Sequence, residues 1–378
     1  TAAATASGSS SELTPIRSLE EFGRAGSELG SKVIKGLDLS HLSLDFWSDA
    51  HLEDSYFLGC KFRNKEIQDY VAGESTYLLH RVDGLAYDPY RSSLYSPGDL
   101  MTETTSGKIW DEVVYEDYLA KGKLHTNMIE ALHRRVHDFS MGDLLQELTR
   151  EIPVTDMVCI TGGFFQDRTD PWFRKTAEAA RLLAIDGKFI VTGGGPGTME
   201  AANLGAYLST YEASALDSAI DILAKAPKWS DDEWLNRALD VLQKYPNGRR
   251  SLGIPTWFYG FEPSNLFATD IAKYFDNDLR EGILMGIAKG GAVFAPGAAG
   301  ARQEIFMVAT QNHFGSTGYF YPMVLFGKEH YEVDTHVHQL LMQVANDNYE
   351  DLIHSTDDPA DVVRFIRDHP ARQSSSAH

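Results

Sequence analysis

Between residues 156 and 330 the apolar positions gather into short continuous runs, separated by longer stretches with one apolar face. "DMVCITGG" (156–163) is an apolar run of strand length that closes on two glycines, and "KFIVTGGG" (188–195) is a second of the same kind. The stretch between them, "DPWFRKTAEAARLLAIDG", opens on Asp170 as a capping residue, has Pro171 at the first helical position and stops at Gly187. "GTMEAANLGAYLS" reads as the next helix, "DIAKYFDNDLREGILMGIAKG" (270–290) as a long one, and "GAVFAPG" (291–297) as a strand. "ARQEIFMVATQNHF" then reads as a helix and "YFYPMVLFG" (319–327) as the final strand. This alternation predicts a doubly wound, mostly parallel Rossmann-like α/β sheet with helices on both faces. Two amphipathic segments within 211–246 interrupt it and predict an inserted helical hairpin.

The flanks follow other patterns. In the accessory region 12–125, Leu37, Leu42, Trp47, Leu52, Phe57 and Phe62 recur every five residues, a period that suits neither helix nor strand. An irregular cap that packs these residues is expected, with a square coil of pentapeptide-repeat type as the alternative. Residues 126–155 predict a linking helix, broken near Ser140–Gly142, on which "LHRRVHD" (132–138) forms a solvated face. Residues 331–378 read as a polar extension with one late helix, "DDPADVVRFIRD", and residues 1–11 as a disordered tail.

Composition narrows the partners. The chain has 378 residues, 43% of them apolar, enough for a sizeable core. A net charge of −20 repels nucleic acid and anionic membrane, so neither is expected as a partner. No run of 18 apolar residues and no signal-peptide pattern is present, and Cys60 and Cys159 have neither metal spacing nor a disulfide framework. A cytoplasmic location is expected. His330, His336 and His338 lack an acidic or cysteine partner at matching spacing, so no metal site is expected, and no cofactor.

Local backbone chemistry still permits a small anion. A strand that ends in glycines and feeds a helix presents unpaired amides and a partial positive charge. "VTGGGPGTMEAANLGA" (191–206) has that form, without a Walker lysine and away from the usual position of a dinucleotide fingerprint. "FAPGAAGARQE" (294–304) has it again. Two such loops at adjacent strand ends could hold one ligand between them, with Glu304 on the helix that follows and Arg280 on the helix before. An acid, a guanidinium and two amide nests suit a phosphorylated sugar, and Trp172, Trp257, Tyr259 and Phe261 are candidates to stack on a base. Core packing is the competing role for these aromatics. For Glu304 it is steadying of a helix N-terminus, and for Arg280 pairing with Asp276 or another nearby carboxylate.

These stretches, over about residues 156–330, resemble the Lonely Guy family, once labelled "possible lysine decarboxylase", within the nucleotide 5′-monophosphate nucleosidase superfamily. "VTGGGPGTMEAANLGA" resembles its glycine motif, "CITGG" (159–163) its first strand and loop, and "YFDNDLREGILMGIAKGGAVFAPGAAGARQE" (274–304) its arginine helix and second loop. The resemblance implies a phosphoribohydrolase that cleaves the N-glycosidic bond of a nucleoside 5′-monophosphate, giving free base and ribose 5-phosphate. Carried over by position, Arg280 and Glu304 are catalytic. Gly163, Gly194, Gly195, Gly197, Thr198, Met199, Glu200, Gly297, Ala298, Gly300 and Ala301 bind phosphate or nucleotide. The resemblance also implies a homodimer or higher homo-oligomer.

The chain departs from the family pattern in the second loop. Ala298 adds a Cβ where glycine is usual, Ala301 removes a hydroxyl, Arg302 adds a cation, and Glu281 stands where a lysine follows the arginine. A catalytically degenerate protein of the same fold that senses a nucleotide is therefore the alternative. Binding of single-stranded DNA conflicts with the charge, and amino-acid decarboxylation lacks a lysine near the loops.

Overall fold

A computed structural model describes residues 15–82, 84–124 and 127–374; the expected tail 1–11 lies outside them. The chain forms two compact units. One holds the described residues up to Ser93 together with Leu132–Ser140, and the other holds Leu94–Ala131 and the chain from Met141 onward.

The first unit is a stack of β–α turns. Its elements are α1 (Leu19–Ala25), β1 (Val33–Lys35), α2 (Leu44–Asp49), β2 (Tyr56–Leu58), α3 (Lys65–Gly73) and β3 (Tyr77–Leu79). The three strands are parallel, and Ile34, Phe57 and Leu78 share one register position. Successive strands begin 23 and then 21 residues apart, at Val33, Tyr56 and Tyr77. Two positions ahead of each strand, Ser31, Asp54 and Ser75 repeat one left-handed turn, with φ of 56°, 58° and 56°. The region is thus regular. Leu37, Trp47, Leu52 and Phe57 are buried and Leu42 and Phe62 pack against them, but they come from turns, helix and strand in rotation. The five-residue spacing is a by-product of the longer repeat, and no square coil forms.

The second unit begins with α4 (Pro97–Met101) and α5 (Trp110–Ala120); the long α6 (Met128–Glu151) follows, with its residues Leu132–Ser140 belonging to the first unit. No break occurs at Ser140–Gly142. The Ser140 hydroxyl donates to the Val136 carbonyl at 2.9 Å and α6 continues. The expected solvated face is also corrected: His133, Arg134 and His137 are buried, while Leu132 and Phe139 are exposed.

Next come β4 (Met157–Thr161), α7 (Pro171–Ile185), β5 (Phe189–Thr192) and α8 (Thr198–Tyr207). The hairpin α9 (Ser214–Leu223) and α10 (Trp234–Lys244) follows, then β6 (Leu252–Gly253), β7 (Asp270–Ile271) and α11 (Asn277–Ile287). The chain continues through β8 (Gly291–Phe294), α12 (Ala299–Phe314), β9 (Tyr319–Phe320) and β10 (Met323–Phe326). It ends with α13 (Val337–Val344), β11 (Ile353–Thr356), α14 (Pro359–Asp368) and β12 (Arg372–Gln373). Seven strands form one sheet in the order β11-β10-β8-β4-β5-β6-β7, every adjacent pair parallel. The central strands β4, β5, β8 and β10 are buried along their whole length, as a parallel sheet covered on both faces requires. Val158, Ile160, Ile190, Val293 and Val324 meet Ala180, Leu183, Val362 and Ile366 in one cluster. The hairpin buries Leu216, Leu223, Ala238 and Val241 against Phe173, Ala201 and Leu204 of α7 and α8.

Three stretches differ from expectation. Residues 270–290 are not one helix: Ile271 pairs in β7, and Asp276 then caps α11 by accepting from the Leu279 amide at 2.9 Å. The 319–327 strand splits at Pro322, whose carbonyl accepts from the Ala292 amide at 2.8 Å. The C-terminal extension supplies β11, so the sheet runs past residue 330. Among the described residues no helix is long and apolar enough to cross a membrane.

Candidate active site

The winding of the sheet reverses between β4 and β8. From β4 the chain proceeds outward through β5, β6 and β7, then returns to β8 on the other side of β4 and moves outward through β10 and β11. Crevices at the carboxyl ends of such strands are the usual ligand sites of open α/β sheets. The turns after β5 and β8 are not at adjacent strands, since β4 lies between them, yet both close on the β4 turn. The Gly163 amide donates to the Pro296 carbonyl at 3.0 Å, and the Gly163 carbonyl accepts from the Thr198 amide at 3.1 Å. A Cβ on Gly297 would lie 3.1 Å from the Gly163 nitrogen, so the second loop sits directly against the first strand's turn.

The helix starts here differ from those of three neighbouring helices of the same unit. α7, α11 and α14 begin on Asp170, Asp276 and Asp358, each of which caps its own helix through its side chain. α8 and α12 begin on Gly197 and Ala298, which have no side chain able to cap. Their first amides are left to other acceptors, the arrangement that suits an anion.

The β5 loop is held from below by a buried polar network. Asn203 accepts from the Thr192 hydroxyl at 2.7 Å and donates to Ser251 Oγ at 3.0 Å. Asn265 donates through its backbone to the Gly194 carbonyl at 2.9 Å and through Nδ2 to the Gly195 carbonyl at 3.0 Å. Full satisfaction of such a network fixes one loop conformation.

Arg280 reaches this loop from α11. Its Nε donates to the Ile254 carbonyl at 2.6 Å and its Nη2 to the Gly193 carbonyl at 3.3 Å. A Cβ on Gly193 would fall 2.5 Å from that Nη2 and 2.6 Å from Met199 Sδ, so glycine there makes room for both side chains. The Arg280 bonds go to carbonyls; Asp276, the ion-pair partner weighed from sequence, caps α11 instead.

Glu304 is buried on α12, and its pKa is pushed up to about 7. Burial is the main cause; the Arg280 guanidinium and the Thr161 hydroxyl act against it, and Glu281 adds to it. Glu281 is buried one position after Arg280. It accepts from Asn277 Nδ2 at 2.9 Å, from the Tyr259 hydroxyl at 3.2 Å and from Gln303 Nε2 at 2.5 Å.

Sequence reasoning missed Glu262 and Asn265, which lie on the irregular segment between β6 and β7. Glu262 Oε2 lies 3.4 Å from where a Cβ on Gly195 would be. Burial raises its pKa, with Arg280 and then Lys273 working against the rise. A lone acid in "FYGFEPSN", rich in aromatic and turn residues, is the only signal the sequence carries for it.

The other sequence candidates differ in partners and exposure. The Glu200 carboxylate is paired with Arg168, accepting from its Nε at 3.1 Å and 3.2 Å. Arg168 also donates to the carbonyls of Ala226 and Trp234. Glu200 therefore ties α8 to the hairpin region, and its carboxylate is fully buried in that pair. Ala298 and Gly300 are exposed, Gly297 is half-buried and Ala301 is buried. Of the aromatic candidates, Trp257 is buried and its Nε1 donates to Asp111 at 2.8 Å, Trp172 packs edge-on to Phe326, and Phe261 packs against Tyr115. Tyr259 is 59% exposed, and Phe165, on the β4 turn, is 70% exposed. Among the described residues no three His, Cys, Asp or Glu side chains group as a metal site.

Fold and site together define a parallel, doubly wound α/β protein of Rossmann-like architecture, with the Arg280 guanidinium and the Glu262 carboxylate set against the turn after β5 and with Glu281 and Glu304 buried on α11 and α12. No protein-family model matches the chain, and no curated protein does. Solved structures do. One is the molybdenum cofactor binding protein from the phototrophic bacterium Rippkaea orientalis, 14% identical, matched over 56% of this chain and 94% of that one at a TM-score of 0.36.

Proposed function

We propose that the chain is a nucleoside 5′-monophosphate phosphoribohydrolase. The observation that carries this reading is Glu304: a buried carboxylate held near neutrality, close to Arg280, at the point where two uncapped helices start. In this reading the 5′-phosphate rests on the first turns of α8 and α12, at amides other than that of Thr198, which donates to Gly163. Glu262 accepts from ribose hydroxyls. As the C1′–N bond breaks, positive charge grows on the ribose ring, and ionised Glu304 stabilises it and takes a proton from the attacking water. The water oxygen bonds to C1′, and the bond electrons leave with the base, which takes up a proton. A pKa of about 7 suits that base at neutral pH.

One observation favours the second reading, a nucleotide sensor without turnover. Arg280 is committed to two backbone carbonyls, and the neighbouring position carries the clamped acid Glu281 instead of a cation. Incubation with a panel of nucleoside monophosphates, with free base measured by chromatography and binding by calorimetry, separates the two. Base release supports the enzyme; binding without release supports the sensor; neither removes both. The proposal extends to a homodimer working in the cytoplasm, tested by light scattering in solution and by cell fractionation.

A further inference from the structure

Residues 94–123 precede the glycine motifs by a long stretch of chain, yet in the second unit they are built into the wall that carries Glu262. Asp111, on the first turn of α5, is fully buried. Its Oδ1 accepts from Trp257 Nε1 at 2.8 Å and its Oδ2 from Lys273 Nζ at 2.8 Å. The same Nζ lies 3.3 Å from the Glu262 carbonyl and 3.4 Å from Ser264 Oγ, and 5.2 Å from the centre of the Trp257 ring. Around this pair, Lys123 Nζ donates to the Phe258 carbonyl at 2.9 Å, and the rings of Tyr115 and Phe261 lie 5.8 Å apart. Residues from α5 and the turn after it thus hold the 257–264 segment at its carbonyls, its aromatic rings and its buried cation.

A fully buried ion pair is a costly way to hold a loop, since apolar residues of the same volume often do so as well or better. What apolar residues cannot supply is a fixed charge. The charged groups facing Glu262 are Arg280 from α11 and Lys273 from the strand-end segment, with Asp111 behind Lys273.

We propose that the buried Asp111–Lys273 pair is a positioning device for the site: it fixes the course of the Glu262 segment and sets a positive charge behind that carboxylate. Asp111 and Lys273 touch no ligand and act through Glu262. The identity of the ligand rests on the phosphoribohydrolase reading; the geometry does not.

The test has two independent readouts. The first is the titration of Glu262 by carbon NMR of glutamate-labelled protein, with Glu262→Gln assigning the resonance. Lys273→Met is expected to raise its midpoint by about one pH unit, and Lys273→Arg to leave it near the wild-type value. Because Lys273→Met leaves the Asp111 charge buried without its cation, the double variant D111N/K273M is measured alongside; it removes both charges and is expected to shift the midpoint the same way. An unmoved midpoint in a folded variant overturns the inference, whether or not the wild type cleaves nucleotides. The second readout is kinetic: KM for the cleaved nucleoside monophosphate rises about tenfold in K273M while kcat changes little, and K273R restores it. If no nucleotide is bound or cleaved by the wild type, the parent reading fails and the titration alone decides this one.

Discussion

The turns after β5 and β8 are written with the same ingredients, yet they are different physical objects. Residues 193–198 are buried; residues 298–300 are exposed. In the first turn the protein itself demands glycine. Gly197 has φ +70° and a Cβ there would lie 2.5 Å from the Gly163 carbonyl oxygen; Gly194 has φ +74° and would meet Pro255 Cδ at 2.7 Å. In the second, a Cβ on Gly300 meets nothing within 4 Å. Interior packing accounts for the glycines of the first turn without a ligand. Nothing in the protein accounts for Gly300, so the second turn is the better place to look for one.

This contrast can be broken by substitution. The largest effect is expected at the helix of the second turn. Glu304→Gln should lower nucleotide hydrolysis by about 10²–10⁴-fold. Wild-type turnover should fall as pH drops through about 7, where Glu304 takes up its proton, and the variant should lack that limb; steady-state rates from pH 5 to 9 check both. In the first turn, Gly197→Ala should cost about 3 kcal/mol, from the left-handed backbone and the overpacked carbonyl together, seen as a lower denaturation midpoint.

Glu304→Gln should act oppositely on stability. The folded pKa lies above the unfolded value, so the native state binds the extra proton between about 4.5 and 7 and pays for an ionised, buried carboxylate above that window. The variant should therefore gain up to about 3 kcal/mol at pH 8 and nothing below pH 4. The smallest effect belongs to Gly300→Ala. Within α12 it should raise stability by under about 1 kcal/mol while weakening nucleotide binding; unchanged binding would return the second turn to plain surface.

The sheet was legible because its central strands are buried on both faces. "DMVCITGG" and "KFIVTGGG" had to be nearly continuous apolar runs, and they became β4 and β5. The edge was not legible. β11 is an edge strand built from Ile353, His354, Ser355 and Thr356, the first three only half-buried, where polar residues suffice. β6 and β7 are only two residues long each, below the reach of any period. The first unit hid its repeat because strand, turn and helix positions interleave, and their mixture gave a spacing that belongs to none of them. Motif spacing placed Glu200 beside the glycines but could not show where its side chain points; that is set by Arg168, 32 residues away. Glu262 lies in a segment without period, whose course depends on contacts from Asp111, 162 residues before Lys273.

The first unit's architecture has a consequence for how its length can change. Each β–α turn rests mainly on the turn before and the turn after, so the stack is close to one-dimensional. Inserting one complete turn at the Ser75 corner should extend the column by a layer and leave the register of Ile34 and Phe57 intact. Adding only five residues there would rotate every later inward position away from the interior. Length variation in this part of the molecule should therefore come in whole steps of 21 to 23 residues.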